Sequence, residues 1–333
     1  MRCRRNVLLL AATLITLITP PSAISAPPSS EPEVSLLVTG LQGALGSTVG
    51  PGGALFVTEA IAGRISRVDP KTGEITTFAS GLPPRIARIG GAMDVAFIGQ
   101  TAYVLITLVG PDVGGDDTVG IYRVDGPNTF TVIADIGAFA LQNPPETPFG
   151  VPTGVQYALQ VYLGGFLVTD GHHNRVLHVT LDGEVTEFAT FDNIVPTGLA
   201  VRGNTVYLAQ AGPVPHLPED GKVVAIDAHS GTVTDVAAGA PLLVDVEFGR
   251  GRRLYALSQG DFPEGERDGF PALPNTGALV EVNRDGTMTV LVEGLNQPTS
   301  MEFIGNTAYV VNLAGEIWKI EDVSGPPFGL SGE

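Results

Sequence analysis

Four short apolar runs, LFVTE, GFLVTD, TVYLAQ and TAYVVN, end in Glu59, Asp170, Gln210 and Asn312, each just ahead of a turn. Two further runs end in Ile106 and Ser258, and aligning all six predicts one ring of positions around a common axis. Carboxylate and amide oxygens gathered in a ring are hard donors, the type that coordinates calcium. Glu59, Asp170 and Asn312 are therefore the candidate metal ligands, and a divalent cation such as calcium in the channel is the cofactor they would take. Asp170, Gln210 and Asn312, with Asp94 and Asp245 from the runs nearest the axis, form a candidate set for binding a polar ligand. His172 and His173 follow Asp170 directly and, with Glu59, are the candidate acid–base groups, since imidazole and carboxylate exchange protons near neutral pH.

A purely structural reading competes with this one. TEAIAGR and TDGHHNR each place an acid five residues before an arginine, Glu59 with Arg64 and Asp170 with Arg175. A pair bridging two adjacent strands needs that spacing and no ligand. Arg85 and Arg88 could hold an anion or close a loop salt bridge. Phe262 and Phe270, in DFPEGERDGF, could cap the channel or pack the loop down, and His216 sits in a Pro-rich loop within reach of the channel mouth. The acids Asp112, Asp116 and Asp117 lack the ligand series of a calcium hand and read as a solvated loop. No nucleophile elbow, phosphate loop, zinc-spaced His/Cys set or dinucleotide fingerprint occurs, so any catalysis falls to a cation or a His/acid pair.

The elements that must position these residues repeat. PTGLAVRGN, TVYLAQAG, GKVVAIDAHSG and TVTDVAAG are four β-runs cut by turn residues, and the same phrase recurs five more times. Four-stranded units of this length predict an all-β, six-bladed β-propeller with four antiparallel strands per blade. The sixth unit lacks its fourth strand, while LVTGLQ near the start matches LVEGLN, the end of a fourth strand. The segment Val34 to Thr39 is thus expected to complete the last blade and close the ring, removing its open edges. Turns between first and second strands and between third and fourth are tight. The long insertions, at 80–91, 110–118, 137–151, 212–220 and 259–276, all fall at the other junctions, which places them on one face, the face expected to bind.

Arg2, Arg4 and Arg5 precede an apolar run from Val7 to Ile18 and small residues at Ala23, Ser25 and Ala26, the pattern of a cleaved secretory signal too short to span a membrane. The expected organisation is a signal over 1–26, a leader over 27–33, the propeller over 34–323 and a tail over 324–333, in a secreted chain. The single cysteine, Cys3, goes with the signal. Eighteen basic against 35 acidic residues give a net charge of −17, which disfavours nucleic acid and anionic lipid as partners.

FVTEAIAGRISRVDPKTGEITTFASGLP and FLVTDGHHNRVLHVTLDGEVTEF resemble NHL and SMP-30-type propeller repeats. With the LLVTGLQGALG start and the phrase PTGLAVRGNTVYLAQ, the chain most resembles the ScyD/ScyE family of exported propellers, over residues 34 to 323. That resemblance implies a fold and a place, since the family has no agreed activity. SMP-30-type lactonases hold a channel-mouth metal with Glu, Asn and Asp, the first from an early inner-strand Glu, and residues 43–49 here contain none. Streptogramin-lyase-like propellers use a histidine and an acid on one face, which His172 or His173 with Glu59 could imitate. The favoured reading is a monomeric module binding a small molecule or extracellular protein on its loop face. The alternative is a metal-assisted hydrolase or lyase at the channel mouth.

Overall fold

The computed structural model describes residues 32–147, 149–267 and 269–324; the signal, most of the leader and all but the first residue of the tail lie outside them. Six sheets of four antiparallel strands follow one another along the chain. Blade one contains β2 (Ala44–Val49), β3 (Leu55–Glu59), β4 (Arg64–Val68) and β5 (Ile75–Ser80), behind the N-terminal strand β1 (Glu33–Val38). Blade two runs from β6 (Gly91–Ile98) through β7 (Thr101–Thr107) and β8 (Gly120–Gly126) to β9 (Thr129–Asp135). Blades three and four begin with β10 (Gln156–Tyr162) and β14 (Pro196–Arg202), and blade five with β18 (Leu243–Phe248) and β19 (Leu254–Ser258). Blade six consists of β22 (Pro298–Ile304), β23 (Thr307–Asn312) and β24 (Ile317–Glu321), and takes β1 as its outer strand, with Val34 opposite Ile320 and Leu36 opposite Trp318. The chain is a six-bladed β-propeller closed by its N-terminal strand.

Middle strands read as unbroken apolar runs because both their faces are covered by neighbouring blades. Leu55 to Glu59 and Gly165 to Asp170 are buried at every position, whereas the outer strand Ile75–Ser80 is exposed over its first three residues and buried only at Ala79. Phe56, Phe78 and Phe97 pack together between blades one and two. The turn after β3 needs a left-handed residue, and Gly63 supplies it (φ 58°) with its Cα against the Leu82 carbonyl. In blade three the same place is taken by Asn174 (φ 53°), whose side-chain oxygen accepts from the amides of Ile194 and Val195.

One insertion is more ordered than its sequence suggests. Within 137–151, read above as loop, a short helix α1 (Ile136–Gln142) forms, capped by the Asp135 carboxylate on the amide of Ala138 at 2.7 Å. Two turns of helix followed by the Pro-rich NPPETPF leave no periodicity to detect.

Candidate functional site

Every inner strand carries a β-bulge near its loop-face end. The pairing skips between Ala44 and Ser47, Ala92 and Asp94, Gln156 and Leu159, Pro196 and Leu199, Leu243 and Asp245, and Pro298 and Ser300. A bulge re-aims the side chain of its extra residue. Here the six bulged residues, Leu45, Met93, Tyr157, Thr197, Val244 and Thr299, form a floor across the channel. In blades one and three the amides freed by the bulge, of Gly46 and Ala158, donate to the hydroxyls of Thr58 and Thr169. Tyr157 spans the opening: its hydroxyl donates to the carbonyl of Thr299, in the blade on the opposite side of the ring, at 3.1 Å.

Above this floor, on the long-loop face, lies a cup of about 320 Å³. Ile61, Ile89, Val155, Val195, Leu242 and Leu313 make most of its wall. Among the described residues its polar side chains are few: Arg85, Arg88, His172, His216, Gln259 and the two floor threonines, with no carboxylate. His216 is held by its Nδ1, which donates to the carbonyls of Gly212 (2.7 Å) and Ala211 (3.2 Å), so in the neutral ring Nε2 is the basic nitrogen. His172 stacks on Phe149 with centroids 4.3 Å apart. Phe262 packs edge-on against His216, whereas Phe270 lines the cup and carries the Arg88 guanidinium 3.8 Å above its ring.

Below the floor the channel changes character. A chamber of about 140 Å³, towards the tight-turn face, is lined by Asp94, Asp245, Glu247 and Glu302. Asp94 accepts from the amides of Val95 and, in the next blade, Leu159; Asp245 accepts from Val246 and, in the next blade, Met301. Each aspartate also presses on a glycine of the preceding blade, Gly46 or Gly198, where a Cβ would meet a carboxylate oxygen at 2.4 or 2.6 Å. Glycine, aspartate, small residue thus recurs every three blades: Gly46, Asp94, Ala158, then Gly198, Asp245, Ser300. Burial pushes Asp94 up to about 8, with the Asp245 charge adding to it, and Asp245 up to about 7. It likewise raises Glu247 to about 8 and Glu302 well above the usual range, the latter also through the Glu247 charge.

The ring expected from Glu59, Asp170, Gln210 and Asn312 does not line either cavity. Glu59 accepts both Nε and Nη2 of Arg64 at 2.8 Å, the Ser66 hydroxyl and the Gln42 amide. Burial alone would raise its pKa, but these bonds, Arg64's first, hold it below the ordinary value. Asp170 accepts from Arg175 Nε at 3.1 Å and from the Val155 amide, and His173 Nδ1 stands 3.0 Å from it. Arg175, fully buried, goes on to Glu187 and to the Asn143 carbonyl at the end of α1. Asn312 bonds with Glu316, and Gln210 is buried opposite Lys222. Each acid–arginine pair fastens second strand to third within its own blade, because the β-ladder sets Glu59 beside Arg64 and Asp170 beside Arg175. Among the described residues, no three His, Cys, Asp or Glu side chains stand close enough to share a metal ion. The donor set named for calcium is therefore not assembled. Of the metal, polar-ligand and acid–base candidates, only His172 lines the cup, where Arg85, Arg88, His216 and Phe270 join it, while Asp94 and Asp245 lie beneath the floor.

The fold is shared with proteins of several activities. Virginiamycin B lyase from Staphylococcus aureus, in a catalytically inactive variant with quinupristin, matches with a TM-score of 0.55 at 15% identity, covering 87% of this chain and 99% of that one. A gluconolactonase from Xanthomonas campestris gives 0.62 at 12% identity, over 88% and 90% of the two chains. The PQQ-bound aldose sugar dehydrogenase from Streptomyces coelicolor gives 0.59 at 16% identity, over 89% and 99%. At these identities the likeness shows the propeller alone. No protein-family model and no curated protein matches the sequence. No helix among the described residues is long and apolar enough to cross a membrane.

Proposed function

We propose that this protein is an exported propeller of the ScyD/ScyE type that binds a small, largely apolar molecule in the loop-face cup. The cup itself carries the reading. It is a concave, mostly apolar cavity with a few polar groups, at the small end of the roughly 300–1,000 Å³ range of ligand sites. The bulged floor closes it from beneath, so a ligand enters and leaves on the loop side only. Export rests on the basic and apolar pattern of residues 2–18.

A second reading, turnover of the bound molecule, is favoured by His216, an imidazole lining the cup with its Nδ1 anchored on two backbone carbonyls. Such a base suits proton abstraction, as in an elimination. Metal-assisted hydrolysis is less well supported, because a lactonase-type cation needs carboxylates that the described residues of the cup wall do not offer.

The neutral fluorescent probe N-phenyl-1-naphthylamine tests the site. Its emission should rise saturably at one equivalent of protein, and Leu313→Trp, which fills the cup, should abolish the rise while leaving the circular dichroism unchanged. Equal enhancement by that variant would place binding elsewhere.

A further inference from the structure

We infer that the cup selects a compact apolar carboxylate, with Arg85 and Arg88 receiving the anion at its mouth; this deepens, and rests on, the cup being a ligand site. Among the described residues the wall holds two guanidinium groups and no carboxylate, in a chain with almost twice as many acids as bases. Four arginines elsewhere pair with acids, Arg64 with Glu59, Arg123 with Asp125, Arg175 with Asp170 and Glu187, and Arg253 with Glu281, while Arg67, Arg202 and Arg284 do not. Among the described residues, Arg85 and Arg88 form no ion pair.

Both are placed rather than loose. The amide of Arg85 donates to the Ala60 carbonyl at 2.7 Å, and Leu82 in the same loop donates to Gly63, which pins the loop to the turn of blade one. Arg88 lies flat on Phe270, which belongs to the insertion of blade five, so the contact reaches across the mouth from one side of the ring to the other. A guanidinium stacked by its face still presents its N–H donors at the edge, in the geometry that a carboxylate accepts bidentately. Beneath the arginines the wall is mostly hydrocarbon. A ligand must therefore join a compact apolar body to one anionic end. The net negative charge of the whole chain repels anions at long range, so two local cations are what makes the mouth receptive to one.

The experiment compares 2-naphthoate with 2-naphthamide, isosteric molecules that differ in charge, by isothermal titration calorimetry at pH 8, where histidines are mostly neutral. Naphthoate should bind the unmodified protein at least about tenfold more tightly. The double variant Arg85→Ala/Arg88→Ala should bring naphthoate down to the affinity of the amide without changing the amide. Arg88→Lys, which keeps the charge and loses the planar stack, should fall between. Equal affinities for acid and amide in the unmodified protein, or an unchanged preference in the double variant, would overturn the selection and leave the cup a ligand site. If neither compound binds and the naphthylamine probe also fails, the cup reading falls and this inference with it.

Discussion

The two ends of the channel are built from the same six strands, yet one is a hydrocarbon cup with arginines at its mouth and the other a chamber of four carboxyl groups. One residue per strand separates them. Below the bulge, side chains of the ladder face the axis and tie blade to blade: Asp94 and Asp245 each reach the backbone of the following blade. Above it the strands give way to long loops, and much of the wall is drawn from them. The acidic end reads as architecture and the apolar end as the place where this chain is free to differ. A propeller can thus hold its most polar inner side chains on the far side of a floor from its loop-face cavity.

The contrast breaks first at the floor. Tyr157→Ala should merge the two cavities, remove the bond to Thr299 and cost about 3–5 kcal/mol, as aromatic truncations in cores do. Chemical denaturation measures this, and a loss under about 1 kcal/mol would mean that the crossbar is ornamental. Next comes pH. The unfolded chain releases its carboxyl protons near pH 4, whereas the folded chamber keeps them to about 7 or 8. The folded state then binds more protons across that interval, so its stability falls as pH rises from about 4 to 8. The melting temperature should drop along the same interval. Glu247→Gln with Glu302→Gln should flatten the curve and raise the melting temperature at pH 8. A wild-type melting temperature that climbs with pH would break the assignment. The smallest effect concerns metal: EDTA, calcium, magnesium, manganese or zinc should each move the melting temperature by under about 1 °C, since no donor set converges among the described residues. A rise of several degrees with one of them would restore the cation reading.

The sequence shows its fold clearly and its site only in part. Repeated β-runs and turn residues made the blades, and LVTGLQ made the closing strand, because those patterns are local and recur. The acid–arginine spacing was equally visible but ambiguous: a residue at the end of a buried strand looks the same whether it faces a ligand or its own neighbour. Asp94 and Asp245 sit in matching phrases, MDVAF and VDVEF, which mark their shared duty once the three-blade repeat is known. What could not be read was the floor. Leu45, Met93, Tyr157, Thr197, Val244 and Thr299 span five residue types; a bulge in the pairing, and not their chemistry, brings them together. Nor could Arg88 and Phe270 be paired, since 182 positions and opposite sides of the ring lie between them.

Closure by β1 also sets an order of events. The strand made first, Glu33–Val38, pairs with the strand made last, Ile317–Glu321. Loop closure over such a separation is entropically slow to nucleate, and it cannot begin while the last blade is unmade. Five blades can stack as they emerge, but β1 must wait with its ladder groups unsatisfied, and the sixth sheet stays a strand short. The finished ring is therefore all-or-none in time as well as in space: until the two ends meet, the chain is a row of blades with two exposed edges, the state in which a β-protein is most exposed to aggregation.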